Sequence, residues 1–201
     1  MITQSIGKGC RWLLVRIVDA IAATGINPNV LTFFGMVVNF WASVDFAIGL
    51  FAWGASLIFL AGFLDMLDGQ VARRGKRVTA FGGFLDSTLD RYSDMALYMG
   101  LLVFYARHGR TAYVVLAAAA TAGSVMVSYA RARAECLIPT CKVGFMERPE
   151  RIVLLVIGAL SGRMAAALWV MAILSNWTVS QRIWYTYREL SEIEKRARAA
   201  L

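Results

Sequence analysis

Charge is scarce in this sequence. Asp, Glu, Lys and Arg make up 17% of its 201 residues, against roughly 25% in soluble domains. Cysteine is limited to Cys10, Cys136 and Cys141, and histidine to His108. A zinc centre needs about four nitrogen or sulfur ligands, and a catalytic triad needs an imidazole with partners. Neither chemistry is expected. The thiols read as reduced, and His108, in a short polar turn, reads as a surface residue. Strand-like alternation is missing, which excludes a membrane β-barrel. No internal repeat or low-complexity segment is present, and the composition excludes disorder, collagen, coiled coil and a secreted disulfide scaffold. The first 22 residues lack the apolar run and the small-residue cleavage site of a signal peptide.

What is abundant is apolar surface. Hydrophobic residues make up 59% of the chain, and the mean hydropathy is +0.59. That is too much for a soluble core of this size and predicts an all-α membrane protein with one domain over 1–201. Candidate spans fall near 29–47, 51–72, 82–106, 111–134, 150–161 (extended at its start) and 164–186. Each approaches the ~20 residues a bilayer requires except the fifth, whose charged N-terminal end must sit in the interface. The expected organisation is a juxtamembrane helix over 1–22, a six-span bundle over 29–189 and a cytoplasmic tail over 190–201. In the first segment Lys8, Arg11, Arg16 and Asp19 fall on one side of a helical wheel, and Ile6, Leu13, Leu14, Ile17, Val18 and Ile21 on the other. This is the pattern of an amphipathic helix lying on the membrane. Gly25 and Pro28 then break it.

The net charge of +8 belongs to the connections. Arg73, Arg74, Lys76 and Arg77 follow the second span, and Arg131, Arg133, Lys142, Arg148 and Arg151 follow the fourth; the other loops carry only Arg107, Arg110 and Arg163. The positive-inside rule therefore places both termini and both basic loops in the cytoplasm, against the cell membrane. There is no basic stripe with interleaved exposed aromatics, so nucleic acid is not an expected partner.

The chemistry concentrates in FLDMLDGQVARRGKRVTAFGGFLDSTLDRYSD. Asp65, Asp68 and Ala72 share one helical face; Gly82, Asp86, Asp90 and Asp94 share a slowly drifting face of the next helix. Carboxylates in membrane spans are costly and mark function. Four of them at one cytoplasmic end cannot all stay ionised without cations. Oxygen-only ligands select Mg2+ or Mn2+, with two ions able to neutralise a pyrophosphate. Gly69, Ala72 and Gly82 leave room for a phosphate or base at the backbone, and Arg73 adds a guanidinium for phosphate oxygens. The residues alone leave open two other readings: an ion or proton path, and structural pairing of Asp65 and Asp68 with Arg73 and Arg91.

Asp65, Asp68, Gly69, Ala72, Arg73, Gly82, Asp86 and Asp90 form D-x2-D-G-x2-A-R-x8-G-x3-D-x3-D. This resembles the signature of the CDP-alcohol phosphatidyltransferase family, and the Asn-Pro-Asn-Val-Leu-Thr run at 27–32 is similar to the opening of that family's first span. The resemblance implies a Mg2+-dependent membrane enzyme that moves a phosphatidyl group from CDP-diacylglycerol to an alcohol and releases CMP, commonly as a homodimer. It implies metal binding by Asp65, Asp68, Asp86 and Asp90, with Asp90 also taking the proton of the acceptor hydroxyl. It implies contacts to the CDP-lipid from Asn29, Thr32, Gly69, Ala72, Arg73 and Gly82.

The acceptor is a separate question. Arg148 and Arg151 lie on one face of a helix start, and Arg131 and Arg133 end the preceding span. Fixed positive charge beyond what anchoring requires favours an acceptor that bears phosphate. The S-Y-x-R-A-R-A-E and E-R-x-E-R runs, with FGGFLDSTLDRYSD, resemble the branch of the family that uses inositol 1-phosphate, on diacyl or archaeal ether lipid. That resemblance implies an acceptor-phosphate site of Ser128, Arg131, Arg133 and Arg151, with Arg182 closing it; Arg131 stands where that branch often has Lys. Glu147 and Glu150 are expected to orient the arginines. The rival acceptor is sn-glycerol 3-phosphate, giving phosphatidylglycerophosphate. A rival of another class, a small ion or proton transporter, lacks the inverted repeats and broken mid-membrane helices that class uses.

Overall fold

The computed structural model describes residues 15–75 and 77–199. Within them the chain is all-helical: α1 over residues 15–23, α2 Pro28–Ala47, α3 Phe51–Arg74, α4 Ala80–Arg107, α5 Thr111–Glu135, α6 Arg148–Leu160 and α7 Met164–Ala199. The expected boundaries hold to within two residues for most elements. The exception is α7, which continues through the expected 190–201 tail to Ala199. Cys10 and the N-terminal part of the juxtamembrane helix lie outside the described residues.

The starts and stops follow local chemistry. Gly25 takes φ 73 between α1 and α2, a conformation glycine adopts without a Cβ penalty. Asn27 caps α2 by accepting the Asn29 N–H at 3.0 Å, and Pro28 fills a first-turn position that has no N–H to satisfy. Thr79 caps α4 by accepting from Gly82 N at 2.9 Å. His108 ends α4 as an exposed residue, its Nδ1 2.7 Å from Phe104 O. Cys136 and Cys141 are free thiols.

Helices α2, α3 and α6, with Thr111–Ala134 of α5, differ sharply as membrane elements. α2, α3 and Thr111–Ala134 are long and apolar enough to cross a bilayer. α6, with 13 residues, spans about 20 Å at 1.5 Å per residue, short of the ~30 Å hydrocarbon layer. Exposed Phe33, Trp41, Trp53, Phe59 and Trp177 give the outer surface an apolar, aromatic character.

The core sits where α2, α3 and α4 meet, continued by α5, α6 and α7. Close approach rather than bulk holds the helices together, as in membrane packing generally. Gly100 faces the backbone of Ser43, and Ser43 Oγ donates to Ala96 O at 2.5 Å. On the α5–α7 seam a Cβ at Gly123 would lie 2.8 Å from Ser175 Cβ, and Asn176 Nδ2 donates to Ala119 O at 3.2 Å.

α1 departs from the sequence expectation in one respect. Val18 is buried against Leu67 and Val71 of α3, flanked by Ile17 and Ile21, and Asp19 pairs with Arg74. Part of the apolar side is therefore covered by protein instead of lipid. This docking ties the juxtamembrane helix to the end of α3 that carries Asp65 and Asp68.

Candidate active site

Two pockets lie along the carboxylates of α3 and α4. The first, of about 260 Å³, is walled by the start of α2, the end of α3 and the start of α4. It gathers all six residues expected at the CDP-lipid: Asn29, Thr32, Gly69, Ala72, Arg73 and Gly82. Asp68 and Asp86 line it as well. Thr32 Oγ1 donates to Asp68 Oδ2 at 2.6 Å, a short charge-assisted bond that fixes the carboxylate across the α2–α3 contact. A Cβ at Gly69 would stand 3.4 Å from Arg73 Nη1, and one at Gly82 would stand 3.3 Å from Asn29 Oδ1. Both glycines thus leave the polar side chains of this pocket unobstructed. Arg77, which sequence reasoning left in the loop, lines the pocket and donates to Gly25 O at 2.6 Å. Its only signal was its place in the basic loop.

The second pocket, of about 460 Å³, lies between α4, α5, α6 and α7. Asp90, Ser128, Arg131 and Arg182 line it, as expected; so do Asp94 and Arg148. Four arginines and four carboxylates share its wall, and the arginines are already engaged. Arg131 Nη1 donates to Glu147 Oε1 at 3.0 Å and its Nε to Glu135 Oε1 at 3.1 Å. Arg182 is 2% exposed, with donors on Val127 O at 2.6 Å, Val143 O at 2.9 Å and Glu147 Oε1 at 3.1 Å. Arg91 bonds Ser87 O within its own helix. Glu147 therefore orients two arginines, as expected. Glu150 Oε2 is buried with no hydrogen-bond partner among the described residues.

Two expected acceptor residues are not brought to this pocket. Arg133 lies two positions from Arg131, which turns it to another face of α5. It lines an apolar groove with Met126, Tyr129 and Ile183. Arg151 is 1% exposed and locked behind the pocket: Nη2 donates to Asp94 Oδ2 at 2.6 Å and Nη1 to Met146 O at 3.0 Å. Ser124 Oγ donates to the same Asp94 oxygen at 3.1 Å. Asp94, to which the sequence assigned no role, is the buried counter-ion that ties α4 to α6.

Asp65 and Asp68 do not pair with Arg73 and Arg91. Asp65 Oδ2 accepts from Arg148 Nη2 at 3.1 Å, and Arg148 Nη1 lies 2.8 Å from Asp90 Oδ1. Gly35 makes space for Asp65, since a Cβ there would stand 2.6 Å from Asp65 Oδ1. One guanidinium thus bridges carboxylates of α3 and α4, which relieves the repulsion that their clustering creates. Among the described residues, no three acidic, His or Cys side chains converge tightly enough to form a finished metal cage. The donor chemistry nevertheless fits a hard divalent ion. Asp65, Asp68, Asp86 and Asp90 supply only oxygens, on facing helices, and Asp68 and Asp86 share one pocket wall.

The fold and site define an all-helical protein of strongly apolar surface whose carboxylate row runs past two pockets, an arrangement suited to joining a nucleotide-activated lipid to a polar acceptor. The profile of the CDP-alcohol phosphatidyltransferases matches residues 25–184, and the chain belongs to that family of transferases. It is 40% identical over 196 residues to the archaetidylinositol phosphate synthase of Methanothermobacter thermautotrophicus, across 94% of this chain and 98% of that one. It is 36% identical over 174 residues to the phosphatidylinositol phosphate synthase of Mycobacteroides abscessus, across 82% and 79% of the two chains. Among solved structures it is similar to the Mycobacterium tuberculosis phosphatidylinositol phosphate synthase with CDP-DAG bound, at a TM-score of 0.81 and 31% identity over 87% of this chain and 93% of that one. A second structure of that enzyme, in complex with manganese and citrate, matches at the same TM-score over 87% and 88%.

Proposed function

We propose that this chain is a six-span enzyme of the cytoplasmic membrane that transfers a phosphatidyl group, on diacyl or ether lipid, from a CDP-lipid to inositol 1-phosphate. The products are phosphatidylinositol phosphate, or its ether equivalent, and CMP. Both termini and both pockets face the cytoplasm, and the chain works as a homodimer in the bilayer. The basic loops at 73–77 and 131–151 support the orientation. The similarity to synthases of inositol-phosphate lipids supports the acceptor.

This reading is supported by the placing of two pockets along one row of carboxylates, Asp68 and Asp86 lining the first and Asp90 the second. Asn29, Thr32, Gly69, Ala72, Arg73 and Gly82 hold the CDP part on one side. Ser128 and Arg131 receive the acceptor phosphate on the other, braced by Arg182. Asp90 lies at the acceptor side, where its carboxylate takes the proton of the attacking hydroxyl as the bond to phosphorus forms and CMP leaves. Two Mg2+ or Mn2+ ions held by Asp65, Asp68, Asp86 and Asp90 would offset pyrophosphate charge and the charge on departing CMP. The chain's own part is to hold those carboxylates in place: Thr32 fixes Asp68, and Arg148 spans Asp65 and Asp90. Arg151 and Asp94 set the position of α6 behind them.

The test is CMP release by purified protein given CDP-diacylglycerol and Mg2+, with inositol 1-phosphate, glycerol 3-phosphate, serine and inositol run in parallel. Turnover with inositol 1-phosphate is the expected result. Preference for glycerol 3-phosphate would keep the chemistry and replace the acceptor. Preference for serine or inositol would return the arginines to membrane anchoring.

A further inference from the structure

Arg148 stands between the carboxylate row and the acceptor-side pocket and serves both. It projects from the first turn of α6. Its Nη2 is 3.1 Å from Asp65 Oδ2, its Nη1 is 2.8 Å from Asp90 Oδ1, and its Nε is 3.5 Å from Asp94 Oδ1. The same side chain lines the pocket that holds Ser128 and Arg131. We propose that Arg148 is a positioning residue that couples the two ligands: a phosphate in the acceptor-side pocket draws the guanidinium off Asp65 and Asp90, and those carboxylates then bind a divalent cation more tightly. The inference rests on the proposed function, which places a divalent cation at the aspartates and a phosphorylated acceptor beside them.

Two competitions are coupled at this side chain. Arg148 and a divalent cation compete for the oxygens of Asp65 and Asp90. The carboxylates and an acceptor phosphate compete for the donors of Arg148. Whichever ligand arrives first releases what the other needs, so each raises the affinity of the other, by the same factor. The other arginines do not serve this purpose. Arg131 and Arg182 are held by Glu135, Glu147 and backbone carbonyls, and Arg151 is held by Asp94 and Met146 O. Arg148, by contrast, forms ion pairs with two carboxylates of the cation set. One of its donors is also uncommitted. Its side chain is 27% exposed and its Nε has no hydrogen-bond partner among the described residues. When it leaves, the buried Asp94 keeps Arg151 as counter-ion, and the carboxylates given up are Asp65 and Asp90, which the cation takes.

Binding of Mn2+ alone, followed by electron paramagnetic resonance on the full chain in detergent, tests this without turnover. Titrations are run with no acceptor, with inositol 1-phosphate and with neutral inositol, each against a protein-free control. For the wild type, inositol 1-phosphate tightens Mn2+ binding about tenfold and inositol does not, within the range of ordinary coupling. In Arg148→Gln, Mn2+ binds about tenfold more tightly with no acceptor, and the effect of inositol 1-phosphate falls to within about twofold. Three results overturn the proposal: no tightening in the wild type, full tightening retained in Arg148→Gln (direct chelation by the acceptor), or weaker Mn2+ binding in Arg148→Gln (a purely structural clamp). Were Arg148→Gln not monodisperse, Arg148→Lys decides. Lysine keeps the charge but has no planar fork to bridge carboxylates, so tighter Mn2+ binding without acceptor supports the proposal and wild-type behaviour overturns it. Mn2+ that fails to bind the wild type under any condition would overturn the cation reading itself, a failure distinct from the other three.

Discussion

The pocket beside Asp68 takes its walls from two stretches, 28–32 and 68–86, whereas the pocket beside Asp90 gathers residues from 87 to 182. The first is built by adjacent helices whose ends are joined by a short loop. Its cationic side chains, Arg73 and Arg77, are exposed, and Asp68 is fixed by the Thr32 hydroxyl. The second is built by four helices, and its arginines are bound in advance to carboxylates and carbonyls. The difference separates two tasks. A nucleotide pyrophosphate needs oxygen ligands and small residues that let it approach the backbone. An acceptor that differs only in its polyol needs a pocket whose charge is balanced until an anion enters.

That contrast can be broken at several points. Removing divalent ions with EDTA should reduce CMP release to background, and Mg2+ or Mn2+ should restore it; metal-independent turnover would dissolve the common carboxylate row. Asp90→Asn should lower kcat by about a thousandfold, in the range for loss of a general base, and leave CDP-lipid binding within about twofold. Equal loss of binding would move Asp90 to the nucleotide side. Thr32→Ala should cost about tenfold in kcat/KM for the CDP-lipid, the worth of one hydrogen bond to a charged group, with the acceptor KM unchanged. Arg133→Ala should change neither KM by more than about twofold, since a surface side chain away from the site has little to lose. An acceptor KM raised as far as that of an Arg131 variant would bring Arg133 into the pocket from which its helical position excludes it.

The two regions also differ in how legible they were. The first was written in short range: eight motif positions over 26 residues, on two helices joined by a few residues, so helical periodicity alone aligned them. Asn29 and Thr32 joined them through a capped helix start that the Asn-Pro pair announces. The second depends on how α5, α6 and α7 rotate against α4, and no local pattern fixes a rotation. Arg131 and Arg133 look equivalent in sequence, but two positions on a helix are about 200° apart. Three residues apart on one helical face, Arg148 and Arg151 read in sequence as one anion site. Packing splits them, giving Arg151 to the buried Asp94 and Arg148 to Asp65 and Asp90. The juxtamembrane helix is legible as amphipathic; that Val18 on its apolar side rests on Leu67 and Val71 requires the tertiary structure.

We propose that two pockets, one for each substrate, flank one carboxylate row. The most direct test is a pair of Michaelis constants measured for both substrates in one CMP-release assay, on Arg73→Ala and Arg131→Ala. A crossed result is expected. Arg73→Ala raises the KM for CDP-diacylglycerol about tenfold and leaves that for inositol 1-phosphate unchanged, and Arg131→Ala does the reverse, as expected when charge-assisted contacts to different phosphates are lost. Both variants shifting the same constant, or both shifting the two together, would contradict it.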